Sequence, residues 1–411
     1  MKEVIKMAKI LISSLGTGKK ENSGYKKTKY QMDDKTCYET SLIVDALAKH
    51  YEVDDIFLVG TKKSIWDEVY MLFGGEDDKY LEELYTKKDE GKITQDDLDL
   101  LNKTLSKGSK CFVVDYGINN EELWSNFETF LKISKHIENG DEILLDITHS
   151  FRSLSLMSFV MTQFTSSISD KEFTIQGVYY GMFEYSYESP EGITPVINIK
   201  ILLEIQEWIK AIDAIKTYSD FDPLVRMLEN DKSIEKNVKN SFVQLNNSIK
   251  MANLAAFEIF IKNASKKIKT ISNSSNKIVK LLAPEIIKLV DNLNKEKKSM
   301  FQFTLAQWFY KNKNYAFSYL ALYESIISKS CELKDYDVNN HELREEAKKS
   351  IGNDKYGQYF YTKKNNPSFA NSISNIRNSI AHQNGDRQDN TLEDIKKLEN
   401  YLNTFKEYIY Q

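Results

Sequence analysis

The chain has few cysteines, few arginines and few histidines, and no long apolar run. Each shortage excludes something. The three cysteines, Cys37, Cys111 and Cys331, form no Cys-x-x-Cys pair and keep no zinc spacing. A disulfide scaffold and a structural zinc module are therefore not indicated, and reduced thiols in a cytoplasmic protein are expected. No stretch approaches the roughly 20 apolar residues that cross a bilayer. The run Ile10–Leu15 is too short for a secretory signal and leads into Gly16-Thr17-Gly18, so no membrane association is expected. Basic residues are not in excess either. Lys and Arg number 56 against 60 Asp and Glu, a net charge of -4, so no overall basic field announces a nucleic-acid partner. RNA is not excluded, because an enzyme that cuts and releases needs only a local basic pocket. No His-x-x-x-His or carboxylate cluster stands at ligand spacing, so no metal site is expected.

What is present supports large folded cores: 41% of the 411 residues are hydrophobic and 12% aromatic, a length and composition suited to two or three domains. Thirteen of the 16 glycines lie at or before Gly192, and none falls between Ile193 and Ile351. Glycine serves turns with positive φ and weakens helix interiors, so this division predicts an α/β first half and an all-α second half. Pro190 and Pro195, within Ser-Pro-Glu-Gly-Ile-Thr-Pro, mark the connector, and the boundary is set at residues 1–200 and 201–411. Strands are expected at Ile10–Leu15, Asp55–Val59, Cys111–Asp115, Glu142–Ile147, Phe173–Tyr180 and Val196–Ile199. Helices are expected between them at Tyr38–His50, Lys63–Phe73, Asn120–Ile137 and Phe151–Phe164. That alternation predicts a mainly parallel, doubly wound, Rossmann-like sheet, with the polar stretch Asp77–Lys107 as a helical insertion. Beyond Ile201 the pattern is helical: Leu202–Tyr218, Ser233–Ser265, Ser275–Asn292, Lys298–Lys311, Tyr315–Leu333, Glu342–Ser350, Ser368–His382 and Thr391–Tyr410.

The rare residues meet twice. Only five arginines (Arg152, Arg226, Arg344, Arg377, Arg387) and five histidines occur. Lys does not replace Arg where a planar, permanently charged fork must hold a phosphate. The first meeting is Asp146-Ile147-Thr148-His149-Ser150-Phe151-Arg152, directly after an expected strand. In open α/β sheets ligands collect outside strand carboxyl ends. Gly16, Thr17 and Gly18 follow another strand, so Thr148, His149, Ser150 and Arg152 are candidates to share a ligand with them. A helix cap by Thr148 or Ser150 accounts for the same residues without a ligand. The second meeting is Arg377-Asn378-Ser379-Ile380-Ala381-His382, closed by the helix stop Asn384-Gly385. Five helical steps turn the direction by about 140°, so Arg377 and His382 do not overlie each other. They can converge on one phosphate if His382 sits at a frayed end, or if two subunits each supply a copy. A surface Arg and a His on the C-terminal dipole is the plainer alternative.

Taken together, these segments resemble one family. Ile10–Gly18, Tyr38-Glu39-Thr40 and Asp146–Arg152 are similar to the CRISPR-associated Rossmann-fold (CARF) domains marked by Asp-x-Thr-His-Gly, with Ser150 standing where that family usually has Gly. Arg377–His382 resembles the HEPN ribonuclease motif, and Gln307–Glu324 resembles the helix that packs beside it. The resemblance implies a homodimeric, metal-independent endoribonuclease of type III CRISPR antiviral defence, switched on by cyclic oligoadenylate, the tetramer or alternatively the hexamer. It implies cleavage of single-stranded RNA by 2′-hydroxyl attack, leaving 2′,3′-cyclic phosphate ends. His382 would move a proton, Arg377 would hold the non-bridging oxygens, and Asn378 would orient either. Two other readings stay open: a ligand-sensing regulator that does not cut, and a CARF domain that itself cleaves the cyclic messenger.

Overall fold

The computed structural model describes residues 7–21, 24–105, 108–149, 152–353, 356–362, 365, 371–382 and 391–410, with backbone alone at 21 and 152. The chain divides into two compact units, Met1–Leu202 and Leu203–Gln411.

The first unit is built on an eight-stranded sheet. Its strands are β1 (Lys9–Leu15), β4 (Thr28–Gln31), β5 (Cys37–Thr40), β6 (Asp55–Gly60), β7 (Lys110–Val113), β8 (Glu142–Asp146), β9 (Thr174–Gly181) and β10 (Ile193–Asn198); a two-residue hairpin of β2 (Lys20–Glu21) and β3 (Gly24–Tyr25) stands apart. The order is β5-β4-β10-β9-β8-β1-β6-β7. β1 pairs in parallel with β6 on one side and β8 on the other, and β6–β7 and β8–β9 are parallel too. After β1 the chain first lays down β4 and β5 at the far edge, then crosses to β6 and β7 on one side of β1 and returns to its other side at β8. The antiparallel pair β9–β10 ends the parallel run. Among the described residues, six α-helices accompany these strands: α1 (Ile43–Tyr51), α2 (Trp66–Leu72), α3 (Asp78–Glu90), α4 (Asp99–Thr104), α5 (Asn120–Ser134) and α6 (Arg152–Ile168).

Local chemistry explains the boundaries. Asp77 caps α3 by accepting the Tyr80 N–H at 3.1 Å, and Gly91 ends it in the left-handed region. Asn119 caps α5 through the Glu122 N–H at 2.9 Å. Leu11, Leu58, Leu144, Trp66 and Ile43 bury one face of the sheet under α1 and α2. Each such side chain contributes about 1.5–3 kcal/mol relative to exposure. Lys88 ties α3 to this core by a buried ion pair with Asp67 at 3.1 Å, and Tyr25 donates its hydroxyl to the same carboxylate.

One expectation needs correction here. The helix anticipated over Tyr38–His50 begins only at Ile43; Cys37–Thr40 is a strand paired antiparallel with Thr28–Gln31. Tyr38 and Thr40 suit a pleated edge, and a partner strand from outside the local window decides the matter.

The second unit is helical: α7 (Ile201–Tyr218, its first two residues in the first unit), α8 (Asp222–Asn230), α9 (Lys236–Lys250), α10 (Leu254–Lys267), α11 (Lys277–Leu293), α12 (Lys298–Lys311), α13 (Tyr315–Leu333), α14 (His341–Ser350), α15 (Gly357–Phe360), α16 (Ile373–His382) and α17 (Thr391–Ile409). The single helix expected over Ser233–Ser265 is two. Ala252 takes φ of 52°, and Asn253 starts α10 by accepting the Ala256 N–H. Helix α8 was also not anticipated; Pro223 sits in its first turn. One continuous aromatic-rich core, including Phe242, Phe257, Phe301, Phe303, Tyr319 and Phe405, runs through α7 to α17. No helix among the described residues is long and apolar enough to cross a membrane.

Candidate functional site

Two sites emerge, one in each unit. The first is the crevice where the chain reverses direction about β1. The carboxyl ends of β1 and β8 lie side by side, with Ser13 opposite Asp146. In a doubly wound sheet this switch point is where neighbouring loops splay apart and leave a ligand crevice. Here Leu15, Gly16, Thr17, Gly18, Thr61, Ser64, Thr148 and His149 line a cavity of about 300 Å³. Five of the seven expected ligand residues, Gly16, Thr17, Gly18, Thr148 and His149, are therefore brought together. Ser150 lies outside the described residues, and Arg152 enters only as the first residue of α6.

The crevice rests on a buried polar network. Asp146 is fully buried. It accepts the Ser13 hydroxyl at 2.6 Å and the Thr148 N–H at 2.9 Å. Burial pushes its carboxyl above the usual range, against the opposing pull of those two donors. Thr148 Oγ1 accepts the Gly181 N–H at 2.8 Å, which ties the loop to the end of β9. His149 Nε2 shares a hydrogen bond of 3.0 Å with the Tyr30 hydroxyl. Burial holds the imidazole below its ordinary value and the Tyr30 phenol above its own, so both stand neutral at pH 7. On the opposite wall, Ser64 donates its hydroxyl to the Leu15 carbonyl at 2.8 Å, and the Ile65 N–H reaches the Gly16 carbonyl at 3.1 Å. Gly18 is required as glycine: φ is +64°, and a Cβ there would lie 2.8 Å from the Tyr25 ring and 2.9 Å from Ile65. Gly16 is not so constrained, since its Cβ would meet His149 at an ordinary 3.5 Å. Sequence reasoning left out Ser13, Tyr30, Thr61 and Ser64. Tyr30 could not have been found, because it reaches His149 across 119 residues from a strand the local pattern concealed.

The second site surrounds Arg377. Three helix faces meet there: Tyr323, Glu324 and Ile327 from α13; His341, Arg344, Glu345 and Lys348 from α14; Ser374, Arg377 and Asn378 from α16. With Tyr361 they enclose a cavity of about 370 Å³. The Arg377 guanidinium sits 4.9 Å over the Tyr323 ring and donates to Asn378 Oδ1 at 3.1 Å. Its Nε is buried and has no partner among the described residues. Arg344 is the opposite case, committed to Glu324 at 2.6 Å, Ser328 and the Val338 carbonyl. Arg377 and Asn378 thus share one cavity, whereas His382, exposed at the end of α16, is not among its lining.

Elsewhere the fold assembles a group that sequence spacing did not announce. Asp33 and Asp34 of the β4–β5 turn come within 4.8 Å of His50 from the end of α1. Both carboxylates are exposed, and such groups often gather without an ion.

Comparison with known proteins agrees with the fold of the first unit. Residues 10–184 match the family described as "CRISPR system endoribonuclease Csx1, CARF domain". "CRISPR-associated protein MJ1674" of Methanocaldococcus jannaschii is 30% identical over 440 residues, which cover 97% of this chain. The chain belongs to the CRISPR-associated CARF proteins. It spans 66% of the length of that relative. Residues 204–299 of this CARF protein match the second domain of the same relative, so the matched segment takes in helices α8 to α11 and ends at the start of α12. A solved structure, Enterococcus italicus Csm6 bound to cyclic hexa-2′-fluoro-hexa-dAMP, aligns over 98% of this chain and 94% of its own, with 14% identity and a TM-score of 0.40. At that score the two are only distantly alike.

Proposed function

We propose that this CARF protein is an endoribonuclease of type III CRISPR defence, switched on by cyclic oligoadenylate bound at the β1–β8 crevice. The observation that carries this reading is the pairing, in one chain, of a switch-point crevice with a separate cavity around an incompletely partnered arginine. The crevice offers small residues and loop backbone to a phosphate or base. The Arg377 cavity suits a phosphodiester: a planar, permanently charged fork is held over an aromatic ring with its Nε still free. RNA carries its own nucleophile, so the protein need only move protons and steady the pentavalent phosphate. His382 moves a proton, Arg377 holds the non-bridging oxygens, Asn378 orients the guanidinium, and no metal is required.

A homodimer fits both halves of this reading. On α6 the side chains Leu156, Val160, Phe164 and Ile168 recur every fourth residue and are all exposed, Leu156 at 65%. A helix face of that kind is ordinarily covered, and a second copy would bring two crevices around one ring. A ring with an even number of adenylates meets the two-fold axis with equivalent contacts, the tetramer being favoured over the hexamer.

The test is direct. Purified protein is incubated with labelled single-stranded RNA, with and without each cyclic oligoadenylate, and with EDTA. Cleavage that appears with one ring, survives EDTA, leaves 2′,3′-cyclic phosphate ends and is lost by roughly 10²-fold or more in His382→Ala supports the proposal. Strict metal dependence, or full activity in His382→Ala, overturns it.

A further inference from the structure

Helix α14 carries a face that the proposed function does not use. His341, Arg344, Glu345 and Lys348 stand at i, i+3, i+4 and i+7, which is one side of a helix, and all four line the Arg377 cavity. The facing residues on α16, Ser374, Arg377 and Asn378, are likewise spaced i, i+3, i+4. Charge within the cavity is unevenly settled. Glu324 takes up Arg344 at 2.6 Å, and Glu345 lies 3.5 Å from Lys348. Arg377 has no ion pair among the described residues, and His341 has none either.

Cleavage of RNA by its own 2′-hydroxyl needs two proton transfers. The 2′-oxygen gives up its proton as it bonds to phosphorus, and the 5′-oxygen takes one up as its bond to phosphorus breaks. A single imidazole cannot be in the deprotonated and protonated states that these transfers require within one step. The helical unit of each copy contains two histidines, His341 and His382; the partner copy of the proposed dimer adds a second His382, but His382 is not among the residues lining the Arg377 cavity. His341 is the one that shares a cavity with the phosphate-holding Arg377 in a single copy of the chain. We infer that His341 is a second proton-transfer residue of the ribonuclease site, paired with His382. In the balanced step one imidazole accepts the 2′-proton while the other, as imidazolium, donates to the leaving 5′-oxygen. The products are a 2′,3′-cyclic phosphate and a 5′-hydroxyl. This rests on the ribonuclease reading above.

Substitution of His341 leaves the start of α14 intact, because the cap is Asn340, whose side chain accepts the Leu343 N–H at 3.1 Å. The experiment compares full-length wild type, His341→Ala and His382→Ala, each with activating ring, on ordinary RNA and on RNA with sulfur bridging the scissile 5′ position. A thiolate leaves without needing a proton, so the sulfur substrate rescues loss of the acid and not loss of the base. Expected are a loss of about 10²-fold or more in His341→Ala on ordinary RNA, disappearance of one limb of the pH–rate profile, and rescue of one variant but not the other. Wild-type activity and an unchanged pH profile in His341→Ala overturn this inference while the ribonuclease stands. Rescue of both variants, or of neither, also overturns it. If wild type cleaves no RNA with either ring, the reading it rests on fails first.

Discussion

Replacing Asp146 tests whether the crevice loop is held from below. The carboxylate is fully buried and serves two donors, the Ser13 hydroxyl and the Thr148 N–H. In Asp146→Ala both donors lose their acceptor in a site closed to water. Each orphaned group costs about 1–3 kcal/mol, so the local destabilisation is about 2–6 kcal/mol. Because the chain has two compact units, a single denaturation midpoint would mix them. Amide hydrogen exchange reads the loop itself. At about 1.36 kcal/mol per decade, the Thr148 amide and those of β8 should exchange about 30- to 25,000-fold faster. Asp146→Asn should lose much less. Its amide oxygen keeps the Thr148 N–H, and its NH2 group can face Ser13, whose hydroxyl rotates to accept. The pH dependence has a definite sign. Burial raises the Asp146 pKa in the fold, so its stabilising contribution is complete below the unfolded value near 3.9 and is lost as pH rises through the folded one. Wild type should therefore lose stability relative to Asp146→Asn as pH climbs above about 4. Exchange in Asp146→Ala indistinguishable from wild type would refute the claim that this network holds the loop.

His149 has the opposite sign: burial depresses its pKa, so the neutral form stabilises the fold above the unfolded value near 6.5 and that contribution fades as pH falls through the folded one. Hydrogen-exchange protection of the β8 amides in wild type and His149→Gln should diverge on acidification below about pH 6.5, with wild type losing protection faster; parallel curves would count against a buried neutral imidazole. Glutamate at Leu156 and Val160 together should split the proposed dimer and abolish ring binding, read by light scattering and calorimetry; an unchanged mass would remove α6 from the interface. Arg377→Lys should reduce RNA cleavage by about 10²–10³-fold, the cost of losing one aimed donor at the phosphate, while leaving ring binding unchanged; full activity with Lys would show that a point charge suffices.

How much was legible beforehand follows from the range of the forces involved. Glycine placement separated an α/β half from a helical half because glycine acts through its own φ, a local property. Helices such as Lys298–Lys311 and Tyr315–Leu333 were read to the residue, since their periodicity and flanking breaks lie within the window. Gly16–Gly18 and Thr148–His149 were singled out because they follow strands, and strand carboxyl ends hold the ligands of open sheets. Other features were decided by partners far away in the chain. Cys37–Thr40 is a strand because Thr28–Gln31 lies beside it. Tyr30 meets His149 and Ser13 meets Asp146 only through the order of strands in the sheet. The chemistry around Arg377 was visible as a motif, but its setting was not. His341, Arg344 and Lys348 come from a different helix, and no spacing rule links α14 to α16. Sequence alone determined the local conformations and the rare side chains worth watching. Which of those side chains share a cavity was left to tertiary packing, because side-chain contact depends on distance in space and not on separation along the chain.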